Sequence, residues 1–453
     1  LNPTGQADAY SPYSSYSSHA GNIFLISPEL LFNEDLLTED DLKAAYVTEG
    51  ARVDFKAVEQ NKNSLLNKAW NNFNAKDSIL RSQFNQFCQK EAFWLDDYAL
   101  YSVLKQLNNN QPWYTWPNEF KFRDQTALSD FTKQHANELE KIKWLQYIFS
   151  KQWQALKAYC NQLNIKLFGD LPFYISYDSV DVWANPEIFS LNENLELKSV
   201  CGVPPDYFNE SGQRWGMPVF EWNKLKATNY DWWIKRIRKN LEWYDLLRLD
   251  HFRAFAAYWE IPAEEKTAVN GKWVNGPGSD FFEVLKTEFE KLPFVAEDLG
   301  DIDENVYTLR NNFNLPGMKV LQFAFGDDMP QSAYAPHHHA PNYFVYTGTH
   351  DNNTTLGWYR NDADALVHQQ LKKYMSIKIT EENINKVLIK TAFSSVCKTA
   401  IIPIQDWLNL DESSRMNTPA GNGDNWTWRL TNQQLANIPK KKIKKWTLLY
   451  DRD

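Results

Sequence analysis

Six short apolar runs constrain the fold of this chain more than any other feature of its sequence. They lie at residues 165–175, 246–252, 294–300, 318–325, 343–352 and 400–408. Helical patterns such as WWIKRIRKNLEWY and DFFEVLKTEFEKL separate most of them. A strand–helix–strand rhythm of this kind predicts parallel strands. Six or more such units predict an α/β fold, namely a (β/α)₈ barrel.

Two segments interrupt this rhythm. Residues 33–150 carry a mostly helical pattern, and residues 191–222 read as a long loop. We therefore expect one barrel domain over residues 1–453, with a helical insertion at 33–150 and a loop insertion at 191–222.

Charge and cysteine spacing exclude several classes of function. A net charge of −9 argues against a nucleic-acid-binding surface, which needs clustered lysine and arginine. No apolar run approaches the roughly 18 residues of a membrane span. The four cysteines lie far apart without a C-x-x-C pair, which predicts free thiols in a reducing compartment. We expect a cytoplasmic protein without nucleic-acid or membrane partners.

Acidic residues follow four of the apolar runs at their carboxyl ends. They are Asp170, Asp250, Glu297 with Asp298, and Asp351. Because the active site of a barrel lies at the carboxyl ends of its strands, four strands would aim these carboxylates into one bowl. Glycoside chemistry needs two carboxylates, one that attacks the sugar carbon and one that protonates the departing oxygen.

The run LLRLDHFRAF, residues 246–255, combines such an acid with cations. Arg248 lies two residues before Asp250 and therefore points to the same face of the strand. Its charge would keep Asp250 ionised and ready to attack. A third carboxylate, Asp351 beside His350, would bind ring hydroxyls and favour the distorted transition state.

Each of these features also has a structural interpretation. An acid at a strand end is more often a loop cap or a salt-bridge partner than a catalyst. The H-D-N sequence at 350–352 is equally compatible with an Asx-type turn. The 19 tryptophans are explained by core packing as well as by stacking on sugar rings. The consecutive His337, His338 and His339 cannot converge on one ion as spaced ligands do, so we expect no metal.

Six motifs stand in order along the chain: GDLPFYISYDSVDVW, GVPPDYFNESGQRWGMP, LRLDHFRAF, VAEDLG, GTHDNNTTLGWY and SRMNTPAGNGDNWTWR. Together they resemble the 4-α-glucanotransferases, also called amylomaltases or disproportionating enzymes (glycoside hydrolase family 77). The resemblance runs from Asn2 to the C-terminus. It implies a (β/α)₈ barrel related to the α-amylase clan. It also implies transfer of α-1,4-glucan segments to the 4-hydroxyl of a glucan or glucose acceptor, with no metal or organic cofactor.

The resemblance assigns catalytic roles by motif. Asp250 in R-L-D-H is the expected nucleophile, which forms a covalent glucosyl-enzyme. Glu297 in A-E-D-L-G is the expected general acid and then base, and Asp351 in T-H-D-N the expected stabiliser of the transition state. A retaining double displacement predicts about 5 to 5.5 Å between the carboxyl groups of Asp250 and Glu297.

Further residues are expected at the substrate. In this family the loop of Tyr207 and Phe208 covers the cleft, and water-excluding aromatic acceptor sites favour attack by a sugar hydroxyl over attack by water. For Trp215 and Trp259 a structural role stays open. The residues expected to bind substrate are Tyr13, Asp170, Tyr207, Phe208, Trp215, Arg248, His251, Trp259 and His350.

The sequence departs from the family's pattern at its start. Family members carry several tens of residues ahead of N-P-T-G, which supply the first barrel strand and helix. We therefore expect this chain to be a fragment of a complete enzyme, and the segment alone to fold poorly and to have weak activity. The unusual GQADAYSPY context puts a secondary glucan contact in this loop in doubt, and a targeting segment ahead of Leu1 stays open.

Two other functions compete with the transferase. A hydrolase of the α-amylase clan would use the same three acids but would make no products longer than its substrate. A non-catalytic glucan-binding protein would keep the aromatic cleft and leave the acids idle. The product pattern on maltotriose and an Asp250→Asn substitution discriminate among the three.

Overall fold

The computed structural model describes residues 10–45, 50–75, 79–205, 209–300, 302–419, 421 and 423–452, and these fall into two units. The first unit comprises the described residues of Leu1–Tyr46, Lys56–Phe294 and Asp303–Leu309. The second comprises those of Val47–Phe55, Val295–Ile302 and Arg310–Asp453.

Helices account for most of the first unit up to residue 162, as the sequence predicts for 33–150. Side-chain caps set some of their starts: in α2 the Thr38 hydroxyl accepts from the Asp41 N–H and the Asp41 carboxylate accepts from the Thr38 N–H, a reciprocal capping box. The helices are α1 (Pro28–Asn33), α2 (Glu39–Ala44), α3 (Phe55–Asn74), α4 (Ile79–Leu107), α5 (Asn118–Lys121), α6 (Gln125–Gln134) and α7 (Ala136–Gln162).

Strands and helices alternate over residues 168–312, which confirms the predicted strands at 165–175, 246–252 and 294–300. The elements are β1 (Phe168–Leu171), α8 (Val180–Ala184), β2 (Ser199–Val203), β3 (Gln213–Pro218), α9 (Trp222–Ala227), α10 (Asp231–Trp243), β4 (Leu246–Leu249), β5 (Ala257–Pro262), β6 (Lys272–Asn275), α11 (Gly278–Glu288), β7 (Phe294–Ala296) and α12 (Glu304–Asn312). β1 and β4 pair in parallel within the strand order β1–β4–β7.

The segment predicted as a loop at 191–222 contains two strands. β2 and β3 belong to an antiparallel sheet with the order β3–β2–β5–β6. The sequence conceals them because SVCGV and QRWGMP are short and contain glycine, proline and polar residues that strands disfavour. Gly202 is required by the close approach of β3, since a Cβ there would lie 2.1 Å from the Gln213 carbonyl oxygen.

Aromatic side chains support the segments that follow β1 and β4. The rings of Phe173, three residues after Asp170, and Phe255, five residues after Asp250, meet edge to face with centroids 4.7 Å apart. Phe255 also stacks on Phe281 at 5.4 Å. All three rings are buried. In this region the high aromatic content serves core packing.

The second unit contains the remaining three predicted strands in one parallel sheet. Its order is β10–β9–β8, and buried side chains such as Leu321, Val345 and Leu388 form its core. The elements are β8 (Gly317–Val320), β9 (Tyr343–Tyr346), α13 (Thr355–Gly357), α14 (Ala365–Met375), α15 (Ile384–Ser394), β10 (Thr399–Ile401), α16 (Ile404–Trp407), α17 (Asn432–Ala436) and α18 (Lys440–Leu449).

All four cysteines are free, as predicted: Cys88, Cys160, Cys201 and Cys397. Cys201 and Cys397 are buried. Among the described residues, none of the helices combines the length and the apolar character needed to cross a membrane.

Candidate active site

In the first unit, the register of two strands brings Asp170 and Arg248 together. Asp170 in β1 is the direct neighbour of Arg248 in β4, so their side chains leave the sheet side by side. Asp250 follows β4 by one residue, and its N–H donates to the Leu171 carbonyl at 3.0 Å. The end of β1 therefore fixes the backbone of Asp250.

The Arg248 guanidinium joins these two acids. Its Nη1 lies 2.8 Å from each carboxylate oxygen of Asp170 and 2.7 Å from Oδ1 of Asp250. Charge-assisted hydrogen bonds of this kind are shorter and stronger than neutral ones. Because a nearby cation favours the charged form of a carboxyl group, this arrangement holds Asp250 as a carboxylate.

Tyr13 contacts the same network from the N-terminal loop. Its hydroxyl donates to Oδ2 of Asp170 at 2.6 Å. Burial raises the pKa of Tyr13 well above its usual 10.0, and the negative charge of Asp170 raises it further. The phenol is therefore a protonated hydrogen-bond donor at neutral pH, and Asp170 is shared between it and Arg248.

His251 turns the chain directly after Asp250. It has φ 52° and ψ 48°, a left-handed conformation uncommon for residues other than glycine, and a 3₁₀ turn follows it. Its ring meets Trp215 edge to face with centroids 4.9 Å apart. Burial, together with the positive charges of Arg253 and Arg248, lowers the pKa of His251 from 6.5 to about 3. The imidazole is therefore neutral at physiological pH.

In the second unit, two adjacent acids after β7 have different surroundings. Asp298 is buried, forms an ion pair with Arg310, and accepts a hydrogen bond from the Met318 N–H at 2.7 Å. Burial raises the pKa of Asp298, and Arg310 opposes that shift. Glu297 is half-buried, and its Oε1 accepts from the Leu299 N–H at 3.2 Å. The expectation that Asp298 joins Glu297 in an open acidic bowl is wrong, because Asp298 is buried and paired with Arg310.

The acid after β9 is held from two directions. His350 Nε2 lies 3.3 Å from Oδ2 of Asp351, and the Asn417 side-chain amide donates to Oδ1 at 2.6 Å. Arg415 donates to the main-chain carbonyl of Asp351 at 2.8 Å. The Asn417 N–H donates to the His350 carbonyl at 3.1 Å. Segment 415–417 therefore orients both the side chain and the backbone of this acid.

Comparison with known proteins places the chain in a family. Residues 1–435 match the family described as 4-alpha-glucanotransferase. The chain belongs to the 4-alpha-glucanotransferase family. It is 40% identical to the 4-alpha-glucanotransferase of Clostridium butyricum, over 99% of this chain and 92% of that protein. It is 41% identical to that of Aquifex aeolicus, over 100% of this chain and 90% of that protein.

Solved structures agree with this assignment. The amylomaltase from Streptococcus agalactiae in complex with acarbose matches with a TM-score of 0.95 at 34% sequence identity, over 100% of this chain and 91% of that one. The amylomaltase from Corynebacterium glutamicum matches with a TM-score of 0.77 at 16% identity, which shows likeness of fold alone. The predicted α/β fold of the amylomaltase type is therefore confirmed.

The outcome differs among three further residues that were expected to bind the glucanotransferase substrate. Tyr207 and Phe208 lie outside the described residues. The Trp259 indole donates to the Ala268 carbonyl at 2.9 Å, and its ring lies 5.3 Å from that of Trp273. These contacts explain Trp259 by packing between β5 and β6, and its stacking on sugar stays a prediction.

Sequence reasoning missed two partners of Asp351 in this glucanotransferase fold. Asn417 and Arg415 belong to the SRMNTPAG motif, and neither was expected to contact an acid. Trp426 has φ 65°, and its ring lies 5.6 Å from that of His350. Only the match of this motif to the family could have indicated a role for these two residues. Nothing in the local sequence pattern links residue 417 to residue 351.

The consecutive histidines contact protein groups. His337 and His338 each place Nε2 within 3.3 Å of the Pro330 carbonyl oxygen, at 3.3 and 2.9 Å. Both rings therefore contact the same main-chain carbonyl group. Within the described ranges, no group of three or more histidine, cysteine or acidic side chains is arranged to hold a metal ion.

Proposed function

We propose that this protein is a 4-α-glucanotransferase that moves segments of α-1,4-glucans onto the 4-hydroxyl of an acceptor glucan or of glucose. Asp250 is the nucleophile, Glu297 the general acid and base, and Asp351 the stabiliser of the transition state. Tyr13, Asp170 and Arg248 orient the nucleophile and the donor sugar. The contact of 2.7 Å between Arg248 and Asp250, in a chain of this family, is the observation that supports this proposal most directly.

The first step makes a covalent glucosyl-enzyme. A carboxylate oxygen of Asp250 attacks the anomeric carbon, and the bond from that carbon to the glycosidic oxygen breaks. Glu297 gives its proton to that oxygen, so the leaving glucan departs with a free 4-hydroxyl. The Asp351 carboxylate stabilises the positive charge that develops on the sugar ring.

The second step reverses these changes with a new partner. The acceptor 4-hydroxyl attacks the same carbon, Glu297 takes its proton, and Asp250 leaves as a carboxylate. Two inversions retain the anomeric configuration. Transfer dominates where the acceptor sugar excludes water from the glucosyl-enzyme. The Trp215 ring beside His251 is a wall suited to that task.

Incubation with maltotriose tests the proposal. A transferase releases glucose and makes maltooligosaccharides longer than maltotriose, which chromatography resolves. A hydrolase makes glucose and maltose but nothing longer. A glucan-binding protein leaves maltotriose unchanged. Either of the last two results contradicts the proposal.

We propose one catalytic domain over residues 1–453, with the segment 191–222 lying over the cleft. The substrates are α-1,4-glucan donors with glucose or maltooligosaccharide acceptors. Four free thiols support a cytoplasmic location.

A further inference from the structure

A buried acid of the second unit takes no part in the proposed reaction. Asp406 lies in α16, after β10, and is 2% exposed. Burial raises the pKa of its carboxyl group, and hydrogen bonds from Thr347 and Thr355 oppose that shift. In the described part of the chain, no cationic side chain contributes to this balance. A buried acid without a cation costs free energy, so an apolar side chain would serve core packing better.

This carboxylate joins the two ends of the loop that carries Asp351. Its Oδ2 accepts from the Thr347 hydroxyl at 2.5 Å and from the Thr355 hydroxyl at 2.7 Å. Its Oδ1 accepts from the Thr355 N–H at 2.8 Å. Thr347 directly follows β9, Thr355 begins α13, and both are fully buried. Asp351 lies midway, four residues from each, so one side chain fixes both points at which its loop leaves the core.

Between these ends the loop is held by hydrogen bonds of its own. The Asn352 side-chain oxygen accepts from the N–H and from the hydroxyl of Thr349, each at 2.9 Å. The Thr349 hydroxyl in turn accepts from the Asp351 N–H at 3.3 Å. The Gln322 amide donates to the Asn353 carbonyl at 2.9 Å. Because satisfied networks of this kind are rigid, a displacement of the loop ends is passed on to Asp351.

The residue before Asp406 contacts the segment that supplies the donors of Asp351. The Gln405 side-chain amide donates to the Ser414 carbonyl at 3.3 Å, directly before segment 415–417. The turn after β10 therefore contacts both the loop of this acid and the segment that orients its carboxylate.

We propose that Asp406 is a positioning residue for the transition-state stabiliser. By holding Thr347 and Thr355 together, it sets the place of Asp351 and therefore the distance from that carboxylate to the charge on the sugar ring, on which their attraction depends. This role rests on the proposed function of Asp351. A displacement of about 1 Å in an active site costs about 10²-fold in rate, so we expect a partial relaxation of the loop to cost about tenfold.

Substitutions of the acid and of one donor test this role. Asp406→Asn keeps the volume of the side chain but replaces one acceptor oxygen by a donating NH₂ group. We expect kcat on maltotriose to fall about tenfold with little change in KM. Thr347→Val removes one donor and leaves the Asp406 carboxylate in place, and we expect about a threefold fall, in line with one lost hydrogen bond. Thr347→Ser keeps the hydroxyl and should retain the parent kcat. Equal kcat in the two Thr347 variants would overturn the proposal.

Thr391→Val is the matched control in the same unit. The Thr391 hydroxyl donates to the Val387 carbonyl at 2.9 Å, within α15. Its removal should leave kcat unchanged, whatever its effect on the midpoint of thermal unfolding. A fall of kcat as large as that in Thr347→Val would mean that the loss of any hydroxyl in this unit lowers activity, and it would contradict the role of Asp406.

A double-mutant cycle with Asp351 separates positioning from a general effect on the fold. The donor is α-maltosyl fluoride, whose good leaving group keeps weak activity measurable as released fluoride. We expect Asp406→Asn to lower the rate about tenfold in the parent protein and less than about twofold in Asp351→Asn protein, because the group it positions is already lost. Equal factors in both backgrounds would overturn the proposal and leave the proposed function intact. An Asp351→Asn protein as active as the parent would instead contradict the catalytic role proposed for Asp351 itself.

Discussion

Asp250 and Asp351 each follow a parallel strand, yet different kinds of partner hold their carboxylates. Asp250 contacts a cation, Arg248, which it shares with Asp170. Asp351 contacts the neutral amide of Asn417 and the ring of His350, and the nearby Arg415 donates to its main-chain carbonyl. A nucleophile has to be ionised before it attacks, which a cation favours. An acid that stabilises a cationic transition state acts through its negative charge, and neutral donors orient it without cancelling that charge.

Replacing Asp250 by Asn should have the largest effect. The amide keeps the shape of the side chain but cannot form the glucosyl-enzyme, so we expect kcat on maltotriose to fall about 10⁴-fold or more. Glucose release measures the loss. Asp130→Asn, at an exposed carboxylate of the same unit, is the matched control and should leave kcat unchanged. A fully active Asp250→Asn protein would show that Asp250 is not the nucleophile.

Arg248→Lys should cause the second-largest loss of kcat. Lysine keeps the charge but lacks the planar guanidinium, whose Nη1 contacts Asp170 and Asp250 together. We expect kcat to fall by about 10- to 100-fold, the usual range for a residue that orients a reacting group, with a smaller change in KM. Steady-state kinetics on maltotriose separate the two constants. Unchanged kcat would mean that a positive charge, without the planar guanidinium, is sufficient at Asp250.

Asn417→Ala should lower kcat by less than Arg248→Lys does. It removes one donor from Asp351 without changing any charge, and we expect kcat to fall by about tenfold, in line with a lost hydrogen bond to a charged group. Asn417→Asp is the sharper variant, because a second carboxylate 2.6 Å from Asp351 disfavours its ionised form. We expect a larger loss there, together with an activity optimum at higher pH. Equal losses in the two variants would contradict the role given to neutral donors.

A further effect is expected on stability rather than on kcat, at His251 beside Asp250. Its pKa of about 3 lies below the ordinary 6.5 of the unfolded chain, so the unfolded state binds more protons between these values. The free energy of unfolding should therefore fall as pH drops from 6.5 towards 3, by up to about 1.4 kcal/mol per pH unit from this residue. His251→Asn, which tolerates the left-handed backbone, should flatten that dependence. Thermal unfolding of both proteins at pH 7 and pH 4.5 measures this dependence. An equal loss of stability in the two proteins would show that His251 is not its cause.

The sequence predicts the parallel strands better than the antiparallel ones. The six apolar runs became six strands because buried parallel strands are apolar along their length. β2, β3, β5 and β6 were not predicted, since their pairing is set by tertiary contacts that glycines such as Gly202 allow.

The candidate site was predictable to a similar extent. The spacing of Arg248 and Asp250 was sufficient to predict that they share a face. The different surroundings of Glu297 and Asp298 were not predictable, because adjacent acids look alike until Arg310 packs against one of them. Asn417 was missed for a related reason, as a contact across 66 residues leaves no trace in local spacing.

The separation of Asp351 from Asn417 has a consequence for how the protein is made. A ribosome adds about 5 to 20 residues per second, so the 66 residues between the acid and its amide partner take about 3 to 13 s to synthesise. During that interval β9 can pair with β8, but the acid after it lacks the amide of Asn417. The chemistry of the second unit is therefore completed late in translation, after the strands that carry it are already made.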